Sequence, residues 1–430
     1  MSPKIAFVGA GSVVFTQNLL GDILAFPELA ESEIALHDID PERLETARVL
    51  AERVGETLGA RPRVTASLDR RETLDGADYV INSVQVGGHA ATVRDYEIPA
   101  RHGVRQTIGD TLGIGGIVRT LRTAPVMLGI GNDMAEVCPD AWLLNYTNPM
   151  AMICQLVYQG TPQQKVVGLC HSVQGTTEML AELCGVPVSE VTFSGAGINH
   201  QTFLYRLEHA GESLYPKLDA AIAADPELAR RVRVDIYKRF GYFPTESSEH
   251  SAEYVPWYMR HDSEIERLRI PLAEYVRRSE ENLDEFAQVK QGLAAGTPLE
   301  IERSWEYASL IIHSMETGEE RVIYGNVRNT GLITNLPADI CVEVPCLVNR
   351  TGVNPVHVGD VAPQCAALNR TFANVCDLTV RAVLDGRRDH VRHAAMLDPN
   401  TAASLTLDQI DAMVDELLEA YADLLPESLR

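Results

Sequence analysis

The sequence has no run of about 18 consecutive apolar residues, the length a membrane-spanning helix requires, which excludes a helical membrane protein. The stretch from Met1 to Val8 leads straight into a glycine turn, without the longer apolar segment and small-residue cleavage site of a signal peptide. The expected location is the cytoplasm. Basic residues are in short supply: 37 Lys and Arg stand against 60 Asp and Glu, for a formal net charge of −23. The stretch Arg387, Arg388 and Arg392 is interrupted by Asp389. Nucleic acid, a polyanion, would be repelled by such a chain; a neutral small molecule would not. The eight cysteines form no CxxC pair, so neither a zinc ribbon nor a disulfide framework is expected. In a reducing compartment most would be small buried apolar residues. Repeats, low-complexity tracts and obvious linkers are also missing.

What is present is a globular composition, 45% hydrophobic and 23% charged. At 430 residues two closely packed domains are expected, since domains usually hold about 100–200 residues. The first half alternates short apolar runs (Lys4–Val8, Ile34–His37, Tyr79–Val84, Trp142–Tyr146, Val166–Cys170) with helical stretches such as Pro41–Leu58 and Val126–Val137. Such alternation predicts an α/β fold, a Rossmann-type doubly wound parallel sheet, over residues 1–190. Residues 191–430 read as a mixed α+β domain. It has helical segments near 213–240, 250–260 and 272–315, and short antiparallel strands at Val322–Tyr324, Leu332–Ile333 and Cys341–Pro345. The boundary, near 170–200, is soft. Thr406 and Gln409 have capping-box spacing. Ile410, Met413, Val414, Leu417, Leu418 and Tyr421 then form an apolar stripe, read as core or subunit interface.

Gly9-Ala10-Gly11-Ser12 follows the first strand and opens a helix. Glycines there let backbone N–H groups approach a pyrophosphate, and the helix N-terminus adds partial positive charge. Val14 stands where the usual third glycine would be. Asp38 ends the second strand, where a carboxylate accepts from ribose hydroxyls and disfavours the extra phosphate of NADP. NAD is therefore the expected cofactor, bound by Gly9, Gly11, Ser12 and Asp38, with Asn82 and Val84 flanking it; ordinary strand-end capping is the competing reading for those two.

Further groups gather at strand ends. Cys170 and His200, taken alone, read as a buried thiol and a core histidine; together they would make an incomplete metal shell with open positions. Asn148, before Pro149, could offer its amide to sugar hydroxyls. The glycine-rich stretch Gly109–Gly116 reads either as a mobile active-site loop, with Asp110 and Arg119 reaching the substrate, or as a flexible surface connection. Thr245–Tyr254 carries several titratable groups over one helix start, either a source of a base or a cap with a solvated face.

These segments resemble glycoside hydrolase family 4, in its α-galactosidase branch: Phe7–Thr16, Gln106–Thr123, Asn145–Met150, Gly168–Gly175, Gly197–Gln201 and Asn329–Pro345 run in family order over essentially the whole chain. The Cys170-His171-Ser172 run resembles the branch acting on non-phosphorylated α-galactosides. The resemblance implies a fold similar to lactate and malate dehydrogenases, tightly bound NAD, a divalent metal, usually Mn2+, and a small-molecule sugar substrate. It implies hydrolysis by oxidation at carbon 3, elimination, water addition and re-reduction, outside the two-carboxylate scheme. By the same resemblance Cys170 and His200 hold the metal and His171 is the leaving-group acid. Asn148, Arg119 and Asn199 contact the sugar, Asp110 lines the pocket, and the carbon 2 base is His250 or, second, Tyr254. A homodimer or homotetramer is expected. The competing activities are α-glucosidase, α-uronidase and an NAD-dependent 2-hydroxy acid dehydrogenase.

Overall fold

The computed structural model describes residues 2–430. Six parallel strands, β1 (Lys4–Val8), β2 (Glu33–His37), β3 (Arg63–Ser67), β4 (Tyr79–Asn82), β5 (Trp142–Asn145) and β6 (Val166–Leu169), lie in the order 3-2-1-4-5-6. Helices α1 (Val13–Leu24), α2 (Pro41–Leu58), α3 (Arg70–Leu74), α4 (Gly88–His102), α5 (Gly113–Val137) and α6 (Met150–Gly160) fill the crossovers. Strand order reverses between β1 and β4, and in such sheets that switch point opens a crevice beyond the strand C-termini. The central strands are apolar up to their C-terminal residues because both faces are covered. Local chemistry sets the helix ends. Asp40 caps α2 by accepting from the Glu42 and Arg43 N–H groups, Pro41 opens it, and Gly59 closes it at φ 69°.

After α7 (Ser172–Leu183) the chain forms a hairpin, β7 (Val191–Ile198) and β8 (Gln201–His209), extended by β9 (Glu212–Ser213). Helices α8 (Tyr215–Ala224) and α9 (Val232–Phe240) lead to β10 (Phe243–Pro244), and α10 (Ser248–Glu253), α11 (Asp262–Leu268), α12 (Glu274–Ala295) and α13 (Ala308–Thr317) follow. Strands β11 (Arg321–Arg328), β12 (Cys341–Asn349) and β13 (Gly352–Pro355) precede α14 (Pro363–Leu384), α15 (Arg388–Leu397), α16 (Pro399–Ser404) and α17 (Leu407–Ala420). Strand β11 pairs antiparallel with β6, and the sheet continues through β12, β7 and β8 to β10, giving 13 strands in all. A single sheet therefore runs through both predicted halves.

Several local expectations differ from the structure. Strand β3 lacks an apolar run because it is a half-exposed edge. Strands β7 and β8 were hidden by Gly195 and Gly197, which read as turn residues but stand where the paired strands come very close: a Cβ on Gly197 would lie 2.6 Å from the Gln201 carbonyl oxygen. Leu332–Ile333 forms only an isolated bridge, from Ile333 to Gly359. The segments 213–240 and 272–315 each hold two helices rather than one (α8 and α9, α12 and α13), and α10 stops at Glu253, short of 260. The C-terminal capping box is present. The stripe from Ile410 to Tyr421 is buried within the subunit core, so it is not free to serve as a subunit interface.

Candidate functional site

The turn after β1 is built to let another group close. Gly9 has φ 89°, and a Cβ there would meet the Ser83–Val84 backbone at 3.0 Å. The Gly11 N–H donates to Asp38 Oδ2 at 2.8 Å, and the Asp40 N–H donates to Oδ1. Ser12 makes no side-chain cap to α1, whose first turn carries no acid. The helix N-terminus thus keeps donors and a positive end for an anion. Val84 stays at the crevice, its carbonyl accepting from Thr147. Asn82 does not: fully buried, its amide donates to Asn145 Oδ1 at 2.8 Å and to Thr147 Oγ1 at 2.9 Å. It braces the ends of β4 and β5, which favours the strand-end reading over a place beside the cofactor, and its Oδ1 has no partner.

Beyond the ends of β6 and β7 three ligand-type side chains converge. Cys170 follows β6, His200 stands in the two-residue turn between β7 and β8, and Glu246 follows β10. Their ligand atoms all lie within 4.8 Å of one another. Glu246 reaches this position with φ 68°, a left-handed conformation that is costly for a residue with a Cβ. Sequence reading saw Glu246 only as one acid in a polar helix start. Thiol, imidazole and carboxylate together are a donor set for a borderline divalent cation. Without one, burial, then Glu246 and Glu343, push the Cys170 thiol up to about 12. Burial opposes ionisation of Glu246 as well, but His200, His250, His171 and Arg233 outweigh it and hold its carboxyl at about 2.

The expected acid–base residues surround this cluster. His200 Nδ1 meets Thr111 Oγ1 at 3.3 Å and the Tyr254 hydroxyl at 3.4 Å. His250 packs edge-on against the His200 ring, with centroids 4.8 Å apart, and its Nδ1 lies 3.5 Å from Glu246 and 2.9 Å from Ser247 Oγ. Burial pulls His250 down to about 4. Asp110 lies 3.9 Å from His250 Nε2 and 4.0 Å from Arg119, and accepts from Asn148 Nδ2 at 3.2 Å. Asn148 Oδ1 is buried and unpartnered. His171 occupies the N-cap position of α7 without a side-chain capping bond, has its side chain 57% exposed, and pairs with Glu306 at 3.2 Å, which pushes it up to about 9.

Two corrections belong here. The stretch Gly109–Gly116 is neither a mobile loop nor a surface connection. It is buried, Gly113–Gly116 form the first turn of α5, and a Cβ on Gly115 would lie 2.3 Å from the Gly109 carbonyl oxygen. Asn199, expected at the sugar, instead braces the interior with its amide: it is fully buried and donates to Glu343 Oε1 at 3.1 Å, while its Oδ1 has no partner. Glu343, on β12, also accepts from Thr202 at 2.6 Å and Asn326 at 3.2 Å, and so braces the turn that carries His200. An isolated acid in an apolar strand was the available signal, and sequence reading passed over it.

Two family models, the family 4 glycosyl hydrolase and its C-terminal domain, match residues 4–186 and 195–401. The chain belongs to the family 4 glycosyl hydrolases. An α-galactosidase of Bacillus subtilis is 43% identical over 99% of both chains. A 6-phospho-α-glucosidase from gut microorganisms, solved in complex with NAD and Mn2+, superposes with TM-score 0.84 at 20% identity, over 99% of this chain and 100% of that one. The lactate dehydrogenase of Eimeria maxima, with NADH and oxamate, gives TM-score 0.55 at 16% identity, covering 89% and 96% of the two chains. The Rossmann-type, dehydrogenase-like fold expected from sequence is the one observed. No helix among the described residues is long and apolar enough to cross a membrane.

Proposed function

We propose that this glycosyl hydrolase cleaves non-phosphorylated α-galactosides in the cytoplasm, as a homodimer or homotetramer, with NAD and a divalent cation such as Mn2+. The observation that carries the reading is the convergence of Cys170, His200 and Glu246 at the strand ends of a dinucleotide-type fold, in a chain 43% identical to an α-galactosidase. Gly9, Gly11, Ser12, Asp38 and the Val84 backbone would hold NAD; Cys170, His200 and Glu246 would hold the cation. When bound, NAD supplies reversible hydride acceptance from carbon 3 of the sugar, and the cation supplies Lewis-acid stabilisation of charge on the neighbouring oxygens.

The chain's own residues do the rest. The unpartnered Asn148 Oδ1 accepts from a sugar hydroxyl, with its amide aimed by Asp110. Buried Arg119 bonds the Asn148 carbonyl at 3.2 Å and offers positive charge beside Asp110. His250 takes the proton from carbon 2; it touches Glu246 and faces Asp110, whereas the Tyr254 hydroxyl is engaged at His200 Nδ1. His171, at the open edge and oriented by Glu306, donates to the leaving oxygen.

The test is release of p-nitrophenol from its α-galactoside with and without NAD, Mn2+ and reductant. Release that needs all three, with no net NADH, is expected. Steady NADH formation without sugar release would replace the reading with a dehydrogenase. In deuterated solvent the product should carry deuterium at carbon 2, and His250→Ala should abolish incorporation. Loss in Tyr254→Phe instead would move the base to Tyr254.

A further inference from the structure

Glu253, the last residue of α10, contacts neither the metal-type cluster nor the dinucleotide turn, yet it is a buried carboxylate, 3% exposed. Its partners are three consecutive backbone N–H groups: Oε1 accepts from Thr107 and from Ile108 at 3.0 Å, and Oε2 accepts from Gly109 at 2.9 Å. Burial pushes this carboxyl up to about 7 against the pull of the three amides. A row of successive amides converging on one anion forms a nest. Here the anion comes from the protein itself.

The nest lies immediately before Asp110 and Thr111. Thr111 donates to Asp110 at 2.8 Å and meets His200, and Asp110 receives Asn148 and faces His250. On the other side the same stretch is fixed to α5, because Gln106 Oε1 accepts from the Gly115 N–H at 3.3 Å and the Gly109 carbonyl abuts Gly115. Helix α10 carries His250 and ends at Glu253, with Glu246 just before it and Tyr254 just after. One carboxylate thus fixes the distance between the two segments that make the acid–base cluster, and it does so through backbone N–H groups that only a proline at 107–109 would remove.

We propose that Glu253 is a positioning residue for the glycosidase reaction, holding Asp110 and Thr111 in register with His200 and His250 through the amides of residues 107–109. This rests on the function proposed above. Glutamine could still accept the Thr107 and Ile108 amides on one oxygen, but its NH2 would oppose the Gly109 N–H, next to Asp110. Aspartate keeps the charge but retracts it by one methylene.

The experiment compares wild type, Glu253→Gln, Glu253→Asp, Asp110→Asn and the double variant Glu253→Gln/Asp110→Asn. It reads kcat and KM on p-nitrophenyl α-galactoside, NAD affinity, Tm and the visible spectrum of bound Co2+. In Glu253→Gln kcat should fall about 10- to 100-fold, the range a misplaced catalytic group produces, with KM and NAD affinity within about twofold, and the Co2+ bands should shift because the His200 surroundings move. Glu253→Asp should fall between the two. The double variant should be no slower than Asp110→Asn by more than about twofold, as expected when two residues act through one contact. Additive losses, a kcat within twofold of wild type, or losses that follow Tm and NAD affinity instead would overturn the proposal. If Glu253→Gln does not fold, Glu253→Asp and its double with Asp110→Asn carry the same comparison. If wild type cleaves no α-galactoside, the proposed function fails, and the Co2+ spectrum still decides whether Glu253 sets the His200 site.

Discussion

A single thiol separates this site from an ordinary buried polar cluster. Cys170 sits at the end of β6 with its sulfur 4.0 Å from Glu246, and burial keeps it protonated unless a cation displaces the proton. Cys170→Ser exchanges a ligand that ionises when a cation binds for a hydroxyl that stays neutral, so Mn2+ affinity should drop about 100-fold, while NAD, for which the turn after β1 is proposed, should still bind with wild-type affinity. Isothermal titration of both ligands checks this; unchanged Mn2+ affinity would remove Cys170 from the site. The residues that sequence reading reached and those it missed differ by a physical rule. Cys170 and His171 are uncommon residue types at the end of a recognisable run, and His200 is reached only through the family resemblance, since the strands around it are not legible. Glu246 and Glu343 are common acids whose role comes from the backbone: one adopts a left-handed φ, the other points inward from an apolar strand. Asn199 and Asn82 lie among the right motifs, but their side chains face the interior, and no local pattern reveals facing when both sides of a sheet are covered.

Among the elements, α12 and the chain after it do something the helical pattern alone did not suggest. The segment crosses beside the dinucleotide turn and is fastened along its length to the first half. Ser279 meets His89 at 3.1 Å, Phe286 lies under the Arg43 guanidinium at 4.2 Å, and Lys290 pairs with Glu42. Arg43 in turn donates to the Gly11 carbonyl, and the strap ends with the Ser304 N–H on buried Asp22 at 2.8 Å. The exposed Lys290–Glu42 pair contributes little; the Asp22 anchor contributes more, since a buried carboxylate accepts from both the N–H and the hydroxyl of Ser304, and hydrogen bonds to a charged group are worth about 1.5–3 kcal/mol. Asp22→Ala should therefore speed NAD release about tenfold or more, measured by stopped-flow displacement, with kcat at saturating NAD barely changed. An unchanged release rate would mean the strap does not retain the cofactor. A second element-level test concerns α16. Its N-cap, Asp398, is fully buried, accepts from the Thr401 N–H at 2.8 Å through Oδ2, and leaves Oδ1 unpartnered; burial pushes it up to about 6. The folded state holds this proton more tightly than the unfolded chain, so the contribution is full below about pH 4 and is lost as pH rises through 6. Asp398→Asn, neutral but still an acceptor, should melt with wild type at pH 4 and be more stable by about 1–3 kcal/mol at pH 8. A melting difference that does not grow with pH would contradict this.

At the scale of the whole molecule, the division at about residue 190 is a sequence boundary that the hydrogen bonding ignores. Strand β11 completes the edge of the parallel sheet through Gly325 on Leu169 and Asn326 on Gly168. His313 of α13 stacks on Phe26 at 4.1 Å, the Tyr79 hydroxyl donates to Glu316 at 2.7 Å, and Tyr421 of α17's C-cap donates to Asp95 at 2.7 Å, where buried Arg122 also pairs. These contacts join apolar and polar surfaces from opposite ends of the chain, and a fragment ending at residue 190 would expose β6 as an open edge over an apolar face, a template for aggregation. The metal-type cluster has the same dependence, since Cys170 comes from one side of the boundary and His200 and Glu246 from the other. The protein freed of NAD and metal should therefore lose both halves together, in one calorimetric transition rather than two. Residues 1–190 expressed alone should remain insoluble or unable to bind NAD. Two separate transitions, or a soluble NAD-binding fragment, would make the halves independent domains that meet only to form the site.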